Sequence, residues 1–402
     1  MLNRRAFVRG VSSLCLGLGL EGAAQAVAAK SRYAVSVLGD LHYDQPPIDT
    51  FHSAFRVAHE KDGMFRQYRR EFENFSSMWG RDGRSLGLLQ ASARCRTPET
   101  AFAVQLGDLV EGDCESSEAH ARMFREMFAL VKRTLGEDLP FVTVAGNHDV
   151  RAGRHRQGEY KNYRKISSAW HTKELGQKVE SLNFAFRRGP DVWIVADFNC
   201  PDFAEIERLL LENSAARYTF FCTHGAVLTN GNRNSRCWFF AGYPQYSEKG
   251  GRLTGKALAD VLPAWTAARL RIRRLLAERR AIVLSGHSHR LELRDWEGDG
   301  GRITELVVNS VTRNVDGSYN PGIPKVAGDR AEDFGRCRVS KKDLKSPNAD
   351  ISALYADYVA GMRRYFTADA VGHIRLNVSD SGVTADYFAL AETTPERTFR
   401  LR

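Results

Sequence analysis

Phe141-Val142-Thr143-Val144-Ala145-Gly146-Asn147-His148-Asp149 reads as a short β-run, Phe141–Val144, that ends abruptly in Asn, His and Asp. Such residues are poor choices for the buried end of a strand unless they bind something. The same event recurs along the chain. Tyr33–Leu38 runs into Gly39-Asp40-Leu41-His42, and Phe102–Leu106 runs into Gly107-Asp108-Leu109-Val110-Glu111. Tyr218–Cys222 is followed by Thr223-His224, and Ala281–Leu284 by Gly286-His287-Ser288-His289.

Between these runs, Glu115–Leu135, Asp202–Ala216 and Ala257–Arg280 carry apolar residues at helical spacing with charges interleaved. Val192–Ala196, Leu291–Trp296, Ile303–Val308, Val371–Val378 and Val383–Leu390 read as further strands. Alternation of this kind argues for an α/β fold built around sheet, with functional residues at strand ends. Two stretches are long for connections: Gln45–Pro98, partly helical, and Val311–Asp350, rich in Gly, Pro, Lys and Asp.

The strand-end residues share a chemistry. Asp carboxylates, an Asn carbonyl and imidazoles suit Mn, Fe, Zn, Mg or Co, and no Cys or Met stands among them. Alternation within Asp40/His42 and His287/His289 puts both side chains of each pair on one side of an extended segment, and the preceding glycines permit sharp turns. Taken singly, Asp40 or Asp108 reads as a helix N-cap, Gly-Asn-His-Asp as a turn, and His224 as a core or surface histidine. Their joint occurrence on five strand exits favours one shared site.

In this order the five blocks resemble the calcineurin-like metallophosphoesterases, over residues 40–289. The resemblance implies a two-sheet β-sandwich flanked by helices, with the metal site at the carboxyl ends of strands. It implies two divalent or mixed-valence ions: Asp40, His42 and His289 on the first, Asn147, His224 and His287 on the second, Asp108 bridging. It implies hydrolysis of a phosphomonoester or phosphodiester by a metal-bound hydroxide, with His148 as general acid and Glu111 as its carboxylate partner; Asp149 is the second candidate for that partnership. Some departures narrow the branch. The Gly107–Glu111 block lacks the tyrosine that purple acid phosphatases use as an iron ligand. Gly112 and Ala145 stand where protein Ser/Thr phosphatases carry arginines.

Residues 1–29 read as an address. Arg4-Arg5 precedes Phe7, Val11–Leu20 is apolar, and small residues follow through Ala24-Gln25-Ala26 and Val27-Ala28-Ala29. This resembles a twin-arginine export signal, and implies the twin-arginine translocation machinery as a partner and a periplasmic or secreted destination. Its removal takes away three arginines and one glutamate, turning a formal charge of +10 into +8. The remaining layout is a core over 30–310, with a helical insertion at about 45–98, and a C-terminal extension, 311–402, that completes or caps it. With 43% apolar residues and no run of about 18 uncharged apolar ones, the chain excludes disorder and a membrane span in the mature form. Six cysteines remain after the leader, without zinc or redox spacing; they are packing residues with room for bridges.

The partner that suits a basic chain with such a site is a small anionic phosphate ester. Arg151, Arg154, Arg156, Lys161, Arg164 and Lys165 follow His148 and read equally as a rim that steers this anion or as a solvated face. Arg269–Arg280 reads as a solvated helix face. Asn230–Tyr246, with aromatics and arginines, is read as a packed loop before a base-stacking platform. No stretch matches a nucleic-acid-binding module, so nucleic acid is not the expected partner. The competing functions are a non-catalytic metal- or phosphate-binding protein on the same scaffold, and a surface-binding protein acting through its basic patches.

Overall fold

A computed structural model describes residues 31–43, 79, 83–112, 116–151, 159–229, 255–312, 322–323, 329–335 and 351–402. The strands are β1 (Tyr33–Leu38), β2 (Thr100–Gln105), β3 (Phe141–Thr143), β4 (Phe184–Arg188), β5 (Asp191–Val195), β6 (Thr219–Cys222), β7 (Ile282–Ser285), β8 (Leu291–Gly298), β9 (Gly301–Val307), β10 (Met362–Ala368), β11 (Gly372–Ser379), β12 (Gly382–Ala389) and β13 (Arg397–Arg400). The helices are α1 (Arg84–Arg94), α2 (Ser117–Leu135), α3 (Tyr160–Leu175), α4 (Phe203–Glu212), α5 (Gly255–Glu278), α6 (Ala331–Gly335) and α7 (Ile351–Gly361).

The strands form two mixed sheets. The first runs β13-β12-β11-β1-β2-β3 and the second β10-β8-β9-β7-β6-β5-β4. β1, β2 and β3 are parallel to one another, as are β5, β6, β7 and β9. The sheets pack face to face: Val35, Val37, Phe102 and Val104 share one core with Trp193, Phe220, Ile282 and Leu284. Alternate residues point outward. Val192, Ile194, Phe221 and Val283 pack under α4, α5 and α7, while Ala103 and Phe141 pack with Leu88, Met123, Phe124 and Tyr163 of α1, α2 and α3. Strands covered on both faces are apolar throughout, which is why their sequences are short unbroken hydrophobic runs. A fully buried side chain such as Phe124 contributes roughly 1.5–3 kcal/mol by burial alone.

Every strand expected from sequence is present, with ends shifted by one or two residues. Side chains cap two of the helices: the Ala119 N–H donates to Ser116 at the start of α2, and the Glu205 N–H to Asp202 at the start of α4. β4, β10, β13, α3, α6 and α7 were not expected. The solvated-face reading of Arg269–Arg280 needs correction. Arg271 is exposed and pairs with Glu207, but Arg269 and Arg273 are buried, Arg273 against Asp299 and the Trp296 ring. Residues 1–29, Arg154, Arg156, the Asn230–Tyr246 segment and most of Gln45–Pro98 and Val311–Asp350 lie outside the described residues. Cys95 and Cys222 are free thiols. No helix among the described residues is long and apolar enough to cross a membrane.

Candidate metal centre

The carboxyl ends of β1, β2 and β3 in one sheet and of β6 and β7 in the other meet at one edge of the sandwich, and the five polar blocks converge there. Asp40, His42 and His289 bring one ligand atom each within 4.8 Å of one another; so do Asp108, His224 and His287; so do His42, Glu111 and His148. Asn147 joins the second set, its Oδ1 3.2 Å from His224 Nε2. All seven expected ligands are thus together, with His148 and Glu111 beside them.

The main chain aims the two aspartates. Asp40 Oδ1 accepts the His287 N–H at 2.9 Å, and Oδ2 lies 3.0 Å from His289 Nε2 and 3.9 Å from His42 Nε2. Asp108 Oδ1 accepts the His148 N–H at 2.6 Å, and Oδ2 lies 3.2 Å from His224 Nε2 and 3.9 Å from His42 Nε2. Asp108 therefore stands between the two histidine sets.

The imidazoles are oriented from behind. His42 Nδ1 is 2.6 Å from Glu111 Oε2, so it carries the proton and leaves the Nε2 lone pair facing the cleft. His224 Nδ1 donates to the Leu106 carbonyl at 2.8 Å, which turns its Nε2 toward Asp108 Oδ2, Asn147 Oδ1 and His287 Nδ1 at 3.2, 3.2 and 3.0 Å. A ring nitrogen surrounded by acceptors is the arrangement a cation satisfies, whether a proton or a metal ion that replaces it. The charge balance agrees: Asp40, Asp108, Glu111 and Asp149 are each at most 1% exposed. Burial first, and then the neighbouring Asp108, push the Asp149 carboxyl up to about 7. The residues present fit two hard-to-borderline divalent ions.

Burial works against charge on His148, and so does Arg151, whose Nη1 is 3.2 Å from His148 Nδ1; Glu111 and Asp108 outweigh both and raise it to about 9. Burial would raise the Glu111 carboxyl, but His148 and His42 hold it well below the usual range. His224 is raised to about 9, Asp108 and Asp40 overcoming burial, while burial and His224 lower His287 to about 3.

The local geometry revises three sequence expectations. The Asp40/His42 and His287/His289 pairs converge, but not on extended backbone: His42, His287 and His289 have φ of 47°, 65° and 52°, and Asp108 has 54°. Four of the seven non-glycine residues with positive φ among those described are thus candidate ligands, each conformation costing ~1–3 kcal/mol. The glycines serve close approach more than turning. A Cβ on Gly146 would lie 2.1 Å from the Asp108 nitrogen, and one on Gly286 2.3 Å from Asp40 Oδ1; only Gly107, at +91°, needs its φ. Asp149 is a scaffold for loops, not the partner of His148: it accepts the N–H groups of Asp108 and Gly146 at 2.9 Å and of Val110 at 3.1 Å. Glu111 reaches His148 Nδ1 at 3.3 Å and His42 more closely.

Sequence reasoning missed several contributors. Gln105 bridges the Gly39 and Gly107 carbonyls with its amide, Asn199 holds the Gly146 carbonyl, and the Phe198 ring packs against His224 and His287. Their positions, the last residue of β2 and the exit of β5, were the available signal. Of the basic run after His148, Arg151 is at the site, whereas Arg164 on α3 donates to the Glu180 carbonyl.

A family model described as calcineurin-like phosphoesterase matches residues 33–291. No curated protein matches the chain. Among solved structures, the chain is similar to a structure of PhoD, with 11% identity and a TM-score of 0.44 over 92% of this chain and 68% of that one. It is similar to GAP50, the anchor in the inner membrane complex of Plasmodium, with 11% identity and a TM-score of 0.42 over 93% and 89%. It is also similar to a dimetal phosphatase from Danio rerio, with 10% identity and a TM-score of 0.43 over 92% and 99%.

Proposed function

The chain belongs to the calcineurin-like phosphoesterase family, and from that premise we propose that it is an exported two-metal hydrolase of a small phosphomonoester or phosphodiester. The observation that carries this reading is the Asp108 carboxylate, one oxygen fixed by the His148 N–H and the other between His42 and His224. Asp40, His42 and His289 would hold one ion and Asn147, His224 and His287 the other, with Asp108 shared. When bound, two such ions make water a nucleophile near neutral pH and neutralise charge on the phosphoryl oxygens.

The chain's own residues supply the rest. As water attacks phosphorus and the ester P–O bond breaks, the leaving oxygen needs a proton, and His148 holds one. Glu111, buried behind it, favours the charged imidazole and so keeps that proton available at neutral pH. Arg151, beside His148, adds positive charge on the side from which an anionic ester would enter. Residues 1–29 act as a twin-arginine leader that delivers the folded protein to the periplasm or the medium. Residues 30–310 are the working core with an insertion at about 45–98, and 311–402 complete it; β10 to β13 supply strands to both sheets.

The test is a panel of phosphomonoesters, cyclic nucleotides, other diesters and pyrophosphates, assayed with mature protein reconstituted with Mn, Fe, Zn, Mg or Co. Turnover of one class is expected. Two bound ions with no turnover of any class would leave the non-catalytic binding reading instead. For export, lysines at Arg4 and Arg5 should block translocation, and unimpaired export would point to another route.

A further inference from the structure

The loop that follows β6 carries His224, and the turn that follows β7 carries His287. Both lead back to one carboxylate that no strand-end motif marks. Glu305, in the middle of β9, is fully buried. Its Oε1 accepts the Val227 N–H at 2.7 Å and the Ser285 hydroxyl at 3.1 Å; its Oε2 accepts the Leu228 N–H at 3.0 Å. Arg294 of β8, also fully buried, pairs with the same Oε2 at 3.2 Å and donates to the Leu228 carbonyl. Arg294 also pairs with Glu292, whose Oε1 accepts hydroxyls from Tyr365 and Thr367 of β10.

An ion pair at this depth is weak evidence for stability, because desolvating both charges offsets their attraction. What this pair does have is direction. Four donors meet one carboxylate, and two of them are consecutive main-chain N–H groups three and four residues after His224. A third, Ser285, is two residues before His287. We propose that Glu305 is a positioning residue for the second metal cluster, holding the His224 loop and the His287 turn at the separation at which their ring nitrogens stand 3.0 Å apart. No contact made by Glu305 reaches Asp40 or His42, whose loop is fixed instead by the Asp108 carbonyl and Trp79. The Val227 and Leu228 bonds bear on the His224 loop alone, whereas the His287 turn also carries His289 and donates its N–H to Asp40, so the effect of losing Glu305 falls chiefly on the second cluster and reaches the first only through that turn. The inference rests on the two-ion reading of the site.

The experiment is Mn²⁺ titration of the full chain, read by metal content and by the electron paramagnetic resonance signal of an exchange-coupled pair. Wild type should take up two ions and show the coupled signal. In Glu305→Gln, of the same shape but without the charge, affinity for one of the two ions should fall about tenfold or more, and the coupled signal should give way to that of isolated Mn²⁺. Ser285→Ala removes one bond and leaves the Arg294 pair intact; it should weaken the same ion by a smaller factor, and it decides the matter alone if the glutamine variant does not fold. Two ions held at wild-type affinity in folded Glu305→Gln, or in Ser285→Ala where that is the deciding variant, would overturn the assignment. A wild type that takes up no pair would overturn the two-ion reading and this inference with it.

Discussion

The two ligand clusters are built from the same residue types and differ in what stands behind them. In the first, His42 is steadied by a carboxylate, Glu111, which also faces His148, and His289 keeps 23% of its side chain exposed. In the second, His224 has no exposed surface, is steadied by a main-chain carbonyl, and is walled by the Phe198 ring. A carboxylate behind a ligand adds basicity and couples that ligand to whatever else the carboxylate touches. A carbonyl adds only direction. The first cluster is thereby linked to His148 through Glu111, and the second is anchored to main chain at His224.

Three substitutions bear on that contrast. Asp108→Ala removes the one group common to both clusters; activity should fall by at least about 10²–10³-fold, with Mn²⁺ uptake reduced at both positions. Retention of either ion at full affinity would mean that the clusters are independent. His148→Ala should lower kcat by about 10²–10⁴-fold for alkyl esters, far less for nitrophenyl esters, whose leaving group needs no proton, and should keep both ions. Equal losses on the two substrates would remove His148 from proton transfer. Glu111→Gln should weaken the first ion by about 10–100-fold while the second binds as before. Equal weakening of both would show that the clusters share their support.

Much of this site was legible because ligand chemistry sits at fixed offsets from strand ends, and strands buried on both faces announce themselves as apolar runs. Asp40, His42, Asp108, Asn147, His224, His287 and His289 all follow from that rule. What the rule does not carry is anything decided across the sandwich. β4, Phe-Ala-Phe-Arg-Arg, is an edge strand whose alternation is short, and α3 spreads its polar residues around most of its circumference. Gln105, Asn199 and Glu305 read as ordinary strand or loop residues until the second sheet is laid beside the first. Asp149 followed the motif but not its expected role, because three N–H groups that only the fold brings together claim its oxygens. Left-handed backbone at His42, His287 and His289 is invisible to a pattern that assumes extended chain.

Histidines buried outside both clusters are the control for the comparison. His171 of α3 is enclosed like His224 but has no carboxylate near it; its Nε2 accepts the Thr143 N–H at 3.1 Å, which requires the neutral ring. Burial alone lowers its pKa to about 3, where His224, among aspartates, is raised to about 9. An unfolded histidine takes up a proton below about pH 6.5, and folded His171 refuses one until about pH 3. The unfolded state therefore binds more protons throughout that window, so the stability His171 contributes is complete above pH 6.5 and is lost as the pH falls toward 3, by at most ~1.4 kcal/mol per pH unit. In urea unfolding of metal-free protein between pH 7 and pH 4.5, His171→Gln should lose stability less steeply than wild type as the solution is acidified. Parallel pH dependences in the two proteins would show that His171 is charged inside the fold, and that burial without carboxylates is not what separates it from His224.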